Sequence, residues 1–135
     1  MTSRLFVYGT LRAACPRGPV AAKLHQVARH LGAARYQGRL YRVVWYPGIV
    51  PSTDPRDQVL GDLYELPEDP ALWAELDAYE GIAPGKPEPQ EYSRDLTQVQ
   101  LADGGHSAAW IYRYQWPLDE ALRIDSGDWC AAIPK

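Results

Sequence analysis

The sequence predicts an α+β fold in which about six short strands curl into a small barrel or curled sheet flanked by short helices. Three observations carry this expectation. Runs rich in aromatic and β-branched residues recur along the 135 residues, with turn chemistry between most of them. One segment, residues 69–81, has a well-marked helical period with start and stop signals at its ends. Residues 58–66 alternate with a period of two, and both faces of that strand are partly covered.

The first expected strand covers residues 4–8 and runs into Gly9, where the missing Cβ permits a turn that exposes backbone N–H groups. Successive amides in such a turn form an anion-binding concavity. Taken alone, the segment fits either a small-molecule site or an ordinary turn at a strand end. Residues 19–26 suit a short helix, and residues 28–33 and 36–44 read as two further strands. In residues 58–66, Val59, Gly61, Leu63 and Glu65 share one face, and Leu60, Asp62, Tyr64 and Leu66 the other. Residues 92–101 and 106–114 form the last strands, joined by a hairpin turn at Asp103, Gly104 and Gly105. Along the final strand Trp110, Tyr112, Tyr114 and Trp116 fall on one side of the pleat and line core or cavity.

The helix between these strands begins with Asp69 as N-cap and Pro70 in its first turn, and ends at Gly81, where a left-handed cap is free of steric cost. Leu72, Trp73, Leu76 and Tyr79 gather on one face. Glu80 projects near the centre of that same face, with Glu75 and Asp77 on its flanks. A carboxylate on the packed side of a helix is costly to bury, and the C-terminal end of the dipole adds to the cost. Both effects push the carboxyl pKa upward, as general acid–base chemistry near neutral pH requires. Helix geometry leaves a second reading open, a structural ion pair between Glu80 and a nearby Arg such as Arg94.

Length, composition and charge narrow the classes of function. The chain has the size of a single domain spanning residues 1–135. A net charge of −3, from 14 basic and 17 acidic residues without like-charge runs, argues against nucleic acid or membrane partners and for a small molecule. No apolar stretch approaches a signal-peptide core or a membrane span, so the chain reads as cytoplasmic. Cys15 and Cys130 lack zinc-site spacing and are expected to be structural thiols. His25, His30 and His106 show no ligand spacing, so no metal site is expected.

Six segments in order resemble the γ-glutamylcyclotransferase-like superfamily. They are Tyr8-Gly9-Thr10-Leu11, Tyr46-Pro47-Gly48, Gly61-Asp62-Leu63-Tyr64, Leu76-Asp77-Ala78-Tyr79-Glu80-Gly81, Tyr92-Ser93-Arg94 and Trp110-Ile111-Tyr112-Arg113-Tyr114. The chain is most similar to AIG2-like members and the γ-glutamylamine cyclotransferases, and Ser126-Gly127-Asp128-Trp129 resembles the tail of bacterial members. The resemblance implies a mixed β-barrel with flanking helices. It places Tyr8, Gly9, Thr10 and Leu11 in a substrate-cradling loop, with Thr10 keeping the hydroxyl of the usual Ser, and Glu80 on the catalytic glutamate. The Pro-rich residues 82–90 make a longer connection after that glutamate than the family pattern implies.

The implied reaction is intramolecular aminolysis, in which the α-amine of a γ-glutamyl group attacks its own γ-carbonyl to give 5-oxoproline and a free amine or amino acid. No cofactor is required, and the partner is the γ-glutamyl substrate alone, bound by a monomer or weak homodimer. Arg94 and Tyr112 form a second tier. Arg94 orients a carboxylate or makes a structural ion pair, and Tyr112, like Tyr8, lines the cavity or packs in the core. Asp128 and Trp129 read as a tail latch closing the barrel. Two other functions fit the same residues: a binding module of this fold without turnover, and an acid–base enzyme acting on another small amide or lactone.

Overall fold

The computed structural model describes residues 3–9, 11–12, 18–43, 46–80 and 90–132. Among these, the order of elements is β1 (Arg4–Val7), α1 (Gly18–Val27), β2 (Arg29–Arg42), β3 (Pro47–Pro51), β4 (Gln58–Glu65), α2 (Pro70–Tyr79), β5 (Tyr92–Leu101), β6 (His106–Tyr114), β7 (Arg123–Ile124) and α3 (Trp129–Ala132). Five strands close into a barrel and two more extend it. Strand neighbours run β3-β2-β4-β1-β6-β5, β5 returns to pair with β2, and β7 adds to β2. β1 is antiparallel to β4 and parallel to β6, so the barrel is mixed, as the family resemblance implies.

The two faces of the strands feed two different apolar clusters. Phe6, Ala34, Leu63, Val99 and Ile111, one from each barrel strand, pack together with Trp129 of α3 and fill the barrel interior. Their sequence neighbours on the other face, Leu5, Val7 and Tyr64, pack outward against Leu24 of α1 and Leu72 and Leu76 of α2. The period-two pattern of β4 thus reports two buried faces, one inside the barrel and one under the helices. Burying a leucine such as Leu72 or Leu76 contributes about 1.5–3 kcal/mol, which is what clamps α2 to the outside of the barrel.

α2 starts as its sequence predicts. Asp69 is extended, with φ −142° and ψ 96°, and its carboxylate accepts from the N–H of Ala71 at 3.0 Å. The expected cap at Gly81 lies outside the described residues; within them the helix ends at Glu80, whose N–H donates to the Leu76 carbonyl at 3.1 Å. The helical face is narrower than predicted, because Leu72 and Leu76 are buried but Tyr79 is exposed.

Other differences concern the strands. The two strands expected at residues 28–33 and 36–44 are one strand, β2, because Ala34 and Arg35 contain no turn chemistry and pair with β4 and β5. β2 bends instead at a bulge between His30 and Gly32, where Gly32 takes φ +128°. Its first half pairs with β4 and its second with β3, which lets one strand span the barrel and its extension. β3 was not expected, since Pro47-Gly48 and Pro51 read as turn signals around too short a run. The β5–β6 hairpin and its Gly104 turn, at φ +91°, match the sequence. Cys130 is disulfide-bonded, contrary to the expected thiol; Cys15 lies outside the described residues. The segment entering α3 returns to the start of the fold, where Asp128 meets Arg12. No helix among the described residues is long and apolar enough to cross a membrane.

Candidate active site

A cavity of about 230 Å³ opens where the loop after β1, the last turn of α2 and the starts of β3 and β5 converge. Tyr8, Gly9 and Leu11 line it from the loop, Glu80 from the helix, Glu91 from the residue before β5, and Tyr112 from β6. Thr10 and residues 81–89 lie outside the described residues. The structure therefore brings Tyr8, Gly9, Leu11, Glu80 and Tyr112 of the expected site into one cavity. Arg94 stands outside it: its Nε meets Asp77 Oδ1 at 2.9 Å, and its guanidinium lies 4.7 Å from the Trp73 ring centre and 5.1 Å from that of Trp110.

Glu80 is partly exposed as a residue, yet the surroundings of its carboxyl push its pKa up to about 8. Burial is the largest cause, followed by the negative charges of Glu91 and Asp77. Arg94 pairs with Asp77, one helical turn earlier on α2. Asp77 also accepts the Tyr112 hydroxyl at 2.7 Å. This carboxylate, which the sequence placed only on a helix flank, ties the end of α2 to β5 and β6. Its i, i+3 spacing from Glu80 was the available signal.

The cavity walls are phenolic. The Tyr8 hydroxyl donates to the Tyr112 carbonyl at 2.5 Å, the Tyr92 hydroxyl donates to the Pro47 carbonyl, and the Tyr46 hydroxyl donates to Glu91 Oε2. Burial raises the pKa of Tyr8, Tyr92 and Tyr112, and the charge of Glu80 raises each further. Tyr46 is pushed up to about 12 by burial and by its bond to Glu91. These phenols are neutral near pH 7.

The loop is braced from behind. The Arg12 N–H donates to the Gly9 carbonyl at 3.0 Å and closes the turn. The Arg12 side chain, 11% exposed, reaches Asp128 Oδ1 at 2.9 Å and Asp62 Oδ2 at 3.4 Å. His25 Nε2 lies 2.7 Å from the Leu11 carbonyl, which can only accept, so this nitrogen carries the proton. His30 Nε2 meets Asp62 Oδ1 at 3.1 Å. Gly9 is required by its neighbour, since a Cβ there would stand 2.5 Å from Pro47 Cγ. Arg12, Asp62 and Glu91 were not singled out from the sequence. Asp128 was, as a latch, and Arg12 is what it holds. No group of three or more His, Cys, Asp or Glu among the described residues is arranged to hold a metal ion.

Residues 5–131 match the family model described as gamma-glutamyl cyclotransferase, AIG2-like. The gamma-glutamylcyclotransferase family protein YtfP of Escherichia coli K12 is 35% identical over 126 residues, covering 93% of this chain and 95% of the relative. The corresponding protein of Citrobacter rodentium is 33% identical over 129 residues, covering 93% and 94%. Among solved structures, an AIG2-like protein from Mus musculus aligns over 98% of this chain and 90% of its own, with TM-score 0.74 and 21% identity, and so shares the fold. YkqA from Bacillus subtilis aligns over 96% of this chain and 40% of its own, with TM-score 0.67 and 28% identity.

Proposed function

The chain belongs to the gamma-glutamyl cyclotransferase, AIG2-like family, and on that premise we propose that it converts a γ-glutamyl amine or γ-glutamyl amino acid to 5-oxoproline and the free amine, with Glu80 as acid and base. The observation that carries the reading is the Glu80 carboxyl, held at a pKa of about 8 in a cavity it shares with the loop of Gly9 and Leu11. An ordinary solvated glutamate is too weak a base for this role, whereas a carboxyl titrating near the working pH exchanges protons in both directions.

The substrate nitrogen begins as an ammonium, whose charge favours ionisation of Glu80 when the two meet. Glu80 takes a proton, and the freed amine attacks the γ-carbonyl carbon to form the ring C–N bond. Glu80 returns that proton to the leaving nitrogen as the amide C–N bond breaks. The remaining excess proton on the ring nitrogen follows the same route and departs on the product amine. Nucleophile and electrophile belong to one molecule, so the enzyme's task is to hold a ring-closing conformer and to stabilise charge. Backbone N–H groups of the loop after β1 serve the α-carboxylate or the developing oxyanion.

The test is incubation of the protein and its Glu80→Gln variant with a panel of γ-glutamyl compounds, following 5-oxoproline by mass spectrometry. Release by the parent and a loss of about 10² to 10⁴ in the variant support the assignment. Equal turnover by both removes Glu80 from the chemistry. Binding without turnover by either makes the protein a binding module, and turnover of another amide without 5-oxoproline makes it a different acid–base enzyme.

A further inference from the structure

Beyond Glu80, the cavity holds a second carboxylate with no part in the acid–base cycle. Glu91 lies just before β5 and faces the same cavity as Glu80. It is fixed at both ends: its carbonyl accepts from the N–H of Gln115 at 2.8 Å, and its Oε2 accepts the Tyr46 hydroxyl. A carboxylate has more acceptor sites than one phenol occupies, so acceptor capacity remains on this cavity-lining group.

The remaining walls point to the same ligand chemistry. Tyr8, Tyr46, Tyr92 and Tyr112 all line the cavity, and each hydroxyl proton is already donated, to the Tyr112 carbonyl, Glu91, the Pro47 carbonyl and Asp77 respectively. These phenols therefore offer lone pairs and π-faces to the cavity in place of donors. No Lys or Arg side chain lines it among the described residues. Walls made of acceptors, aromatic rings and a fixed anion select a donor-rich cation.

We propose that Glu91, oriented by Tyr46, is a specificity-determining residue that receives a primary ammonium of the substrate. The assignment rests on the cyclotransferase reading of this cavity and names what that reading leaves open. Two ammonium groups fit the chemistry, the α-ammonium of the γ-glutamyl unit and one carried by the leaving amine. In either case Glu91 binds and orients, while Glu80 moves the proton. The negative charge of Glu91 also acts on Glu80, since it is the second cause of that carboxyl's raised pKa.

Calorimetric titration of the full chain with three probes tests the assignment. L-Glutamate carries the α-ammonium, 1,4-diaminobutane carries ammonium without the glutamyl unit, and 5-oxoproline has no ammonium. Work at about pH 6 keeps Glu80 mainly protonated, so that its own charge does not enter the reading. Glu91→Gln is expected to weaken an ammonium probe by about 10- to 100-fold and to leave 5-oxoproline within about twofold. Loss confined to L-glutamate assigns the α-ammonium; loss confined to the diamine assigns the leaving group; loss of both means that the site accepts either. Tyr46→Phe leaves the carboxylate but removes its anchor, and produces the same selective loss at smaller size, deciding the matter if Glu91→Gln does not fold.

Equal affinities in parent and variants, equal weakening of all three probes, or no ammonium binding by the parent overturns the proposal. If Glu91-dependent ammonium binding is found but no 5-oxoproline forms from any γ-glutamyl compound, the cyclotransferase reading fails and the ammonium site stands.

Discussion

Tyr112 donates its hydroxyl to Asp77 Oδ1 at 2.7 Å, and the same oxygen lies 2.9 Å from Arg94 Nε. One carboxylate thus gathers β6, β5 and α2 a single helical turn before Glu80, and its negative charge contributes to the raised pKa of Glu80. Replacing Asp77 by Asn keeps an acceptor for Tyr112 but removes the anion. Glu80 then ionises more readily, and the ascending limb of kcat/KM against pH moves down by on the order of 0.5–1 unit. Glu75→Gln is the control, since Glu75 pairs with Lys23 on the surface, and it leaves the limb in place.

The limb itself is the second prediction. With Glu80 at about 8, kcat/KM rises with pH through that value as the carboxyl becomes able to accept the proton. The profile of a γ-glutamyl substrate measured from acid to alkaline pH checks it; a limb near 4.5, the ordinary value for the group, contradicts the raised pKa.

Stability follows the same shift with a definite sign. Folding raises the Glu80 pKa from 4.5 to about 8, so the folded state keeps a proton that the unfolded chain releases across that window. The associated stability is fully present below the unfolded value and is lost as pH rises through the folded one. Glu80→Gln has no such loss. Relative to the parent, the variant gains on the order of 2 kcal/mol between pH 5 and pH 8.5, allowing for the partial exposure of the residue. Urea unfolding of both proteins at the two pH values measures it, and parallel curves contradict the shift.

Arg12 joins the loop of the site to distant parts of the chain through Asp62 and Asp128. Arg12→Ala takes the guanidinium from Asp128 and from Asp62, which is 9% exposed and keeps only His30 of its two named side-chain partners, and costs about 2–4 kcal/mol in urea unfolding. Among molecules that remain folded, KM rises more than kcat falls, because the loop is loosened while Glu80 is untouched. Arg12→Lys recovers only part of the loss, since an ammonium cannot span both carboxylates with the fork of a guanidinium.

Gly61 lets β4 lie close against β1 inside the barrel. A Cβ there would stand 2.3 Å from the Val7 carbonyl and 2.6 Å from the Phe6 ring. Gly61→Ala therefore displaces β1 and destabilises the protein by about 1–3 kcal/mol, and it lowers activity through the loop that β1 carries. Thermal unfolding with a turnover assay checks both effects.

The legible parts of this fold are those where a local pattern has a single physical meaning. β4 was readable because its alternation feeds two buried faces, and α2 because Asp69, Pro70 and the Leu72/Leu76 pair each point to the same helix. Glu80 stood out as a charge where packing demanded apolar surface. β2 was misread as two strands because a long bent strand has no local signature beyond Gly32, and β3 was missed because its prolines look like turns. Asp77, Arg12 and Glu91 were overlooked for a shared reason. A charged residue on a flank, after a turn or beside a strand is ordinary in sequence, and its meaning depends on partners that only the closed barrel brings near.

β1 sits between β4 and β6, and Arg4 reaches across to Ser107, 103 positions later, at 2.9 Å. The strand that leads into the loop of the cavity is thus enclosed only after more than a hundred further residues have been added. Until β6 emerges from the ribosome, Leu5, Phe6 and Val7 have only one flank to pair with, and that apolar edge is the natural point for self-association of the nascent chain. Closing so long a loop is slow, and the cavity comes into being in the same step that seals the barrel. Synthesis therefore passes through no half-built pocket: a chain interrupted before β6 is an aggregation hazard, and one with β6 in place has its cavity.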